Sequence, residues 1–226
     1  MRINIAIDGP SAAGKSTIAK KLAKQLGYVH LDTGAMYRCT AYKCLTNSIS
    51  LDNEEEVCNM LDHTNIELKE DGRILLDGED VSSKIRTDEI SLASSKVSKL
   101  KKVRENLVAR QQEMAKKQGF IMDGRDIGTV VLKDAALKIF MTASPLARAQ
   151  RRYNQNIASN IPTSDVETIE KEIAQRDYED THRANSPLTK ADDAIMIDTS
   201  DMSIDDVCNA IYSYAKPLIE RRTNEE

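Results

Sequence analysis

The sequence predicts an α/β fold: a core of about five parallel strands with helices on both faces. Three observations predict it. Short apolar runs recur at Ile3–Ile7, Tyr28–Leu31, Phe120–Met122, Leu137–Met141 and Ala194–Ile197, with the continuous apolar character of strands buried on both sides. Helical patterns alternate with them, and strands joined by amphipathic helices imply right-handed crossovers into a parallel sheet. The 226 residues suffice for one α/β domain with insertions, or at most two small domains.

The elements follow in order. After the first strand, Ile18, Leu22 and Leu26 repeat at i, i+4, i+8 with Ala19 and Ala23 beside them, and Gly27 stands at the expected helix C-cap. The stretch from Leu31 to Phe120 is too long for one crossover. Inside it, Ile66–Glu70 and Arg73–Asp77 flank Asp71-Gly72, a two-residue hairpin signal, and a second pair, Asp77-Gly78, follows. A small β-containing insertion on the main sheet is expected. Its flanks, Asp88–Lys99 and Lys101–Lys117, read as exposed helices. The segment from Arg148 to Arg183 is highly charged, contains Asn160-Ile161-Pro162, and reads as a mobile helical lid. The last helix is expected over Ile204–Ile219, with a frayed tail Arg221–Glu226. The chain has no internal repeat and no low-complexity tract.

Composition narrows the function classes. Hydrophobic residues make up 40% and charged residues 30%, as in soluble globular proteins. Lys+Arg total 32 against 36 Asp+Glu, a formal net charge of −4. The basic excess of proteins that coat nucleic acid is missing, so no nucleic-acid partner is expected, although a local basic cleft is compatible with that total. No apolar run approaches the roughly 20 residues of a membrane helix, and the N-terminus lacks the features of a secretory signal. A cytoplasmic protein without a membrane partner is expected. The four cysteines (Cys39, Cys44, Cys58, Cys208) form no CxxC pair and the three histidines lie far apart; reduced structural thiols are expected rather than a zinc or disulfide site.

The strongest chemical signal is Gly9-Pro10-Ser11-Ala12-Ala13-Gly14-Lys15-Ser16, a full match to GxxxxGK[ST]. It starts just after an apolar strand and runs into an amphipathic helix, the context a phosphate-binding P-loop requires. A triphosphate carries several negative charges. Glycines let the loop wrap it closely, consecutive N–H groups point inward, and the helix adds its positive dipole end. Lys15 can reach the β- and γ-phosphates, and the Ser16 hydroxyl can ligate Mg²⁺. The motif says nucleoside triphosphate, without saying which reaction.

A phosphotransferase must also hold a second anion in line with the first, with cations to neutralise both. Arg38 follows Leu31-Asp32-Thr33-Gly34, and Asp123-Gly124-Arg125-Asp126 follows a strand, at the strand ends where α/β ligands bind. Arg148, Arg151 and Arg152 fall on one predicted helix, with Arg148 and Arg152 on a shared face; Arg176 and Arg183 flank the far side of the charged segment. For Arg148, Arg151, Arg152 and Arg176 a solvated or salt-bridged surface role competes. Asp123 reads as a Walker-B-type acid near Mg²⁺ or as a turn-forming Asp before Gly, and Asp32 is equally ambiguous.

These residues resemble the bacterial cytidylate (CMP) kinases, within the nucleoside monophosphate kinase group of P-loop kinases. The likeness covers essentially the whole chain. It includes Ile7-Asp8-Gly9-Pro10, Leu31-Asp32-Thr33-Gly34-Ala35-Met36-Tyr37-Arg38, Gly78-Glu79-Asp80-Val81, Ile85-Arg86-Thr87 and Val103-Arg104-Glu105. It continues through Asp123-Gly124-Arg125-Asp126-Ile127-Gly128-Thr129-Val130-Val131, which is particularly specific, to Arg176-Asp177, Arg183 and Pro187-Leu188. Ser16-Thr17 stands where some relatives carry Gly-Thr, and Thr33 where some carry Ser; both keep a hydroxyl.

The resemblance implies transfer of the γ-phosphoryl group of ATP to CMP or dCMP, in pyrimidine nucleotide metabolism, by a monomer. It implies a P-loop NTPase core at 1–38, 100–147 and 186–226, a monophosphate-binding insertion at about 39–99 and a lid at about 148–185. Gly9–Thr17 would bind ATP, with Thr17 the last of that run, and Ser16 would ligate Mg²⁺ with Asp32 or Asp123 through water. Lys15, Arg148, Arg152 and Arg176 would be catalytic, with Arg151 closing beside them. Thr33, Tyr37, Arg38, Ser95, Arg104, Asp123, Gly124, Arg125, Asp126, Asp180 and Arg183 would bind CMP. Among these, Arg38 and Arg125 would hold the α-phosphate and Asp126 the ribose, while Ser95, Arg104, Asp180 and Arg183 would read the cytosine or support the groups that do. Cytosine offers an exocyclic amine beside ring acceptors, which suits a carboxylate beside arginine and hydroxyl donors. The competing expectations are a kinase for UMP or AMP, and a P-loop regulatory ATPase.

Overall fold

The structure, a computed structural model, describes residues 2–69 and 71–223. In chain order the elements are β1 (Ile5–Asp8), α1 (Lys15–Leu26), β2 (Val29–Asp32), α2 (Thr33–Thr46), α3 (Glu54–Asp62), β3 (Ile66–Leu68), β4 (Ile74–Leu76) and β5 (Glu79–Asp80). A 3₁₀ turn at Lys84–Arg86 precedes α4 (Asp88–Val97), α5 (Lys101–Ala115) and β6 (Phe120–Gly124). A π-helical turn at Ile127–Val131 leads to β7 (Leu137–Thr142), α6 (Pro145–Ala158), α7 (Val166–His182), β8 (Ile195–Asp198) and α8 (Ile204–Thr223). The chain divides into two units: one takes the chain up to Val29 and again from Lys117, the other is His30–Lys116.

The five-stranded sheet has the order β2-β6-β1-β7-β8; the first unit supplies β6, β1, β7 and β8 and ends its N-terminal part at Val29, the first residue of β2. β1 lies in the middle, parallel to β6 on one side and β7 on the other, and β8 is parallel to β7. All four residues of β1 are buried, as a strand covered on both faces must be. Ile3, Ile5, Ile7, Ile121 and Ile139 pack with Ile18 and Leu22 of α1 and with Val207 and Ile211 of α8 in one core. The five apolar runs thus mark real strands, each extended or shifted toward its C-terminal end, where Asp8, Asp32 and Asp198 close β1, β2 and β8. Sheet order reverses around β1, so the loops after β1 and β6 emerge side by side at the carboxyl edge, the position α/β folds use for ligands. The charged segment forms α6 and α7 around a small core of Ala149, Ile169 and Ile173, against which Ala12 of the phosphate loop packs. α8 runs to Thr223 rather than stopping at Ile219; Glu220 and Arg221, which continue it, are good helix formers. Of the tail expected to fray, the last three residues, 224–226, lie outside the described residues.

The second unit has its own core, in which Met36, Cys39, Val57, Leu61, Ile85, Ile90, Val103 and Leu107 meet the inner face of a three-stranded sheet ordered β3-β4-β5. β3 and β4 are antiparallel, as expected of the hairpin, but its turn is longer than the Asp71-Gly72 signal suggests. Lys69 N donates to Arg73 O (2.9 Å) and Gly72 N to Lys69 O (2.9 Å), which closes a three-residue connection; Glu70, expected at the end of β3, lies outside the described residues. The two-residue turn falls instead at Asp77-Gly78. Both residues have positive φ (50° and 87°) and Leu76 pairs with Glu79, as a type I′ hairpin demands. The flanking helices are corrected as well: α4 buries Ile90, Ala93 and Val97, and α5 buries Val103, Leu107 and Ala115. Their lysines and glutamates obscure these apolar stripes. α3 is an addition to the expected elements; Asn53 caps it by accepting from Glu56 N (3.3 Å). All four cysteines are free.

Candidate active site

The phosphate loop runs from the end of β1 into α1. Gly9 opens it with φ 147°, and a Cβ there would lie 2.0 Å from the backbone oxygen of Met141 on β7, so only glycine fits. Gly14 is the N-cap of α1 and no side chain caps that end. Glycine offers the N–H groups of the first turn no N-cap side chain, which leaves that helix start suited to an anion. Lys15 is buried and its Nζ donates to Pro10 O (2.8 Å). Burial, aided by the Arg125 guanidinium, pulls its ammonium down to about 7 against the opposing pull of Asp123, Asp8 and Asp180. Ser16 Oγ donates to Asp123 Oδ2 (2.6 Å). The register that pairs Ile7 with Asp123 sets up that contact by putting the ends of β1 and β6 side by side.

The residues after β6 gather charge. Arg125 Nε donates to Asp180 Oδ2 (2.8 Å). Arg183 Nη1 lies 3.7 Å from Asp180 Oδ1 and its Nη2 3.9 Å from Asp126 Oδ1. All four groups are largely buried. Burial pushes the Asp180 carboxyl up, but Arg125 and Arg176 outweigh it and hold the group below the usual carboxylate range. Arg125, Asp126, Asp180 and Arg183, far apart in sequence, therefore form one cluster, with Asp123 and Gly124 in the strand that leads to it.

Arg148 is buried and held on three sides. Its Nε donates to Ala143 O (2.9 Å), and its Nη1 donates to Ser11 O (3.1 Å) and to the Asp177 carboxylate. Asp177 in turn accepts from Ser11 N (3.3 Å), so α6 and α7 both grip the phosphate loop. Arg152 and Arg176 are half-buried on the same two helices. Arg151 departs from its expected place beside them: it donates to Thr199 Oγ1 (3.1 Å) and to Thr199 O, fastening α6 to the turn after β8.

Within the second unit, Asp32 caps α2 by accepting from Ala35 N (3.0 Å) and binds Arg38 Nη2 (2.7 Å). Burial raises the Asp32 carboxyl, but Arg38, His30 and Arg86 prevail and lower it. The Arg104 guanidinium lies over the Tyr37 ring, 5.4 Å from its centroid, and Nη1 donates to Ser98 O (3.1 Å). Ser98 Oγ donates to Ser95 O (2.8 Å), and Thr33 is buried in the first turn of α2. Tyr37, Ser95 and Arg104 are thereby linked, and Arg38 is oriented by a carboxylate that the sequence offers only as a possible metal ligand.

Two further residues stand in the motifs of the resemblance but take no role from the sequence. Asp8, one position before the P-loop pattern, is buried and accepts from Ile127 N (2.8 Å) and Gly128 N (2.7 Å). Burial raises its carboxyl to about 6. Its partners lie 119 and 120 positions away, beyond any local signal. Asp177 adjoins Arg176 in a motif that marks only the arginine. Among the described residues no group of three or more His, Cys, Asp or Glu is placed to hold a metal ion by itself.

A strand–GxxxxGKS–helix unit at the centre of a parallel sheet defines a P-loop NTPase fold. Solved structures agree on the fold. A protein from Eubacterium ventriosum superposes with a TM-score of 0.52 at 14% identity, covering 96% of this chain and 99% of that one. A sugar kinase from Janibacter gives 0.50 at 10% identity, covering 96% and 95%. Within that class, the sequence pattern of the cytidylate kinase family matches residues 5–217. The cytidylate kinase of Geobacillus sp. is 52% identical over 92% of this chain and 94% of its own. That of Ligilactobacillus salivarius is 48% identical over 99% of both, and that of Streptococcus thermophilus 48% over 97% and 98%. The chain belongs to the cytidylate kinase family.

Proposed function

We infer that this chain is an ATP-dependent nucleoside monophosphate kinase, transferring the γ-phosphoryl group of ATP to CMP or dCMP to give ADP and CDP or dCDP. The observation that carries this reading is the cytidylate kinase pattern over residues 5–217, which spans both the phosphate loop and the Asp123–Val131 run.

Residues 9–17 cradle the ATP phosphates, and Lys15 moves from Pro10 O to their oxygens. Ser16, with Asp123 as the nearby acid, is the place for a divalent cation; support comes from their 2.6 Å contact. Mg²⁺ held there would neutralise phosphate charge. Arg38 and Arg125 take the acceptor's α-phosphate and Asp126 its ribose. Ser95 and Arg104 read the base, with Thr33 and Tyr37 beside them, while Asp180 orients Arg125 and Arg183. Arg148, Arg152 and Arg176 stabilise charge on the transferring group, and α6 with α7 exclude water. No nucleophilic side chain and no strong general base are required, because the acceptor phosphate is already ionised near neutral pH.

The test is an acceptor screen with ATP and Mg²⁺. Rapid phosphorylation of CMP and dCMP, with UMP and AMP at least roughly tenfold poorer, is the expected result, one unmade buried hydrogen bond being worth about that much. Preference for UMP or AMP, or phosphate release without transfer, would overturn it.

A further inference from the structure

We propose that Asp8 is a positioning residue for the acceptor side of the reaction: its carboxylate fixes the backbone that carries Arg125 and Asp126. The inference deepens the kinase reading and rests on it.

Each oxygen of Asp8 is engaged by a different backbone amide, Oδ1 by Ile127 N at 2.8 Å and Oδ2 by Gly128 N at 2.7 Å. These amides come directly after Arg125-Asp126 and open the turn Ile127–Val131. An ionised carboxylate accepts at both oxygens, and such charge-assisted bonds to amides are the strong kind. The site has no slack. Asp8 is 5% exposed, and a Cβ at Gly128 would come within 3.3 Å of Asp8 Oδ2 and 3.2 Å of Lys138 Cδ. Lys138 is itself buried and tied to Asp193 (2.9 Å), so it cannot retreat freely. Opposite Asp8 in the β1–β6 register stands Gly124. The strand end that launches the phosphate loop thus also clamps the loop after β6. Without the clamp, Arg125 and Asp126 keep their side chains but lose the fixed backbone from which they act.

The test compares Asp8→Asn with the wild-type chain. Asparagine keeps size and one acceptor, but turns an N–H donor toward one of the two amides. The expected result is a rise of roughly tenfold or more in KM for the acceptor, the scale of a lost buried hydrogen bond, exceeding the rise in KM for ATP that follows from removing a carboxylate that helps keep Lys15 charged. Gly128→Ala, which crowds the same carboxylate from the other side, should reproduce that split with Asp8 intact. Equal changes in both KM values, or a defect confined to ATP, would overturn the proposal. If neither variant folds, the wild-type chain decides by NMR: the Ile127 and Gly128 amide signals should shift more on adding the acceptor than on adding ADP, and the reverse order would refute the role. Kinetics are read with whichever nucleoside monophosphate the wild-type chain phosphorylates. A wrong acceptor assignment then shows in the wild type, and a wrong role for Asp8 only in the variants.

Discussion

Arg148 commits its guanidinium to three partners, Ala143 O, Ser11 O and Asp177, and is buried while doing so. A surface arginine would be neither desolvated nor fixed in this way, and fixed charge is what a phosphoryl transition state uses. Arg148→Ala should lower kcat on the order of 10³-fold, about 4 kcal/mol. Arg148→Lys should recover only part of it, since lysine keeps the charge but loses the fork. Near-normal kcat in the alanine variant would remove Arg148 from that role. Asp180 gives the pH test. Its carboxyl sits below the usual range in the folded chain, so the unfolded chain binds more protons as pH falls. The stability it contributes is present above about pH 4, its unfolded value, and fades as pH drops toward the folded value. Asp180→Asn should therefore cost roughly 3–5 kcal/mol near pH 7, the range for breaking a buried pair, and progressively less below pH about 4. A constant difference in urea unfolding free energy across that range would contradict the cluster.

At the scale of elements, glycines at two turns separate steric from conformational demand. Gly9→Ala would drive a methyl into the Met141 backbone, whereas at Gly78 a Cβ meets nothing within 4 Å and the φ of 87° is the only obstacle. Gly78→Ala should cost about 1–2 kcal/mol, the left-handed penalty, and leave ATP affinity unchanged. Gly9→Ala should abolish ATP binding at temperatures where the protein remains folded. Equal effects in thermal melts and nucleotide titration would contradict this division. The same elements mark what local pattern can reveal. The strands are legible because both faces are buried and apolar, and α1 because its stripe repeats cleanly. The two-residue turn sits at the second Asp-Gly pair rather than the first, since turn length depends on which cross-strand residues pair, and that is a register property. α4 and α5 look exposed in sequence because charged and polar residues together outnumber the few apolar positions that face the core.

Over the whole molecule, chemistry is legible where a motif is contiguous. Gly9–Ser16 and Asp123–Asp126 carry their own signal. Asp8, Asp177 and the pairing of Asp32 with Arg38 do not, because a carboxylate's role depends on which donors the fold delivers to it from elsewhere in the chain. The balanced net charge of −4 conceals the same fact: guanidinium groups such as those of Arg125, Arg148 and Arg183 are set against buried or half-buried acids rather than left on the surface. The central claim is direct transfer between two bound nucleotides, and rapid-quench kinetics with γ-³²P-labelled ATP and CMP tests it most directly. Direct transfer predicts label in the β-phosphate of CDP, in step with ADP and with none on the acid-precipitated protein. Label released only as inorganic phosphate, or trapped on the protein before CDP forms, would contradict it.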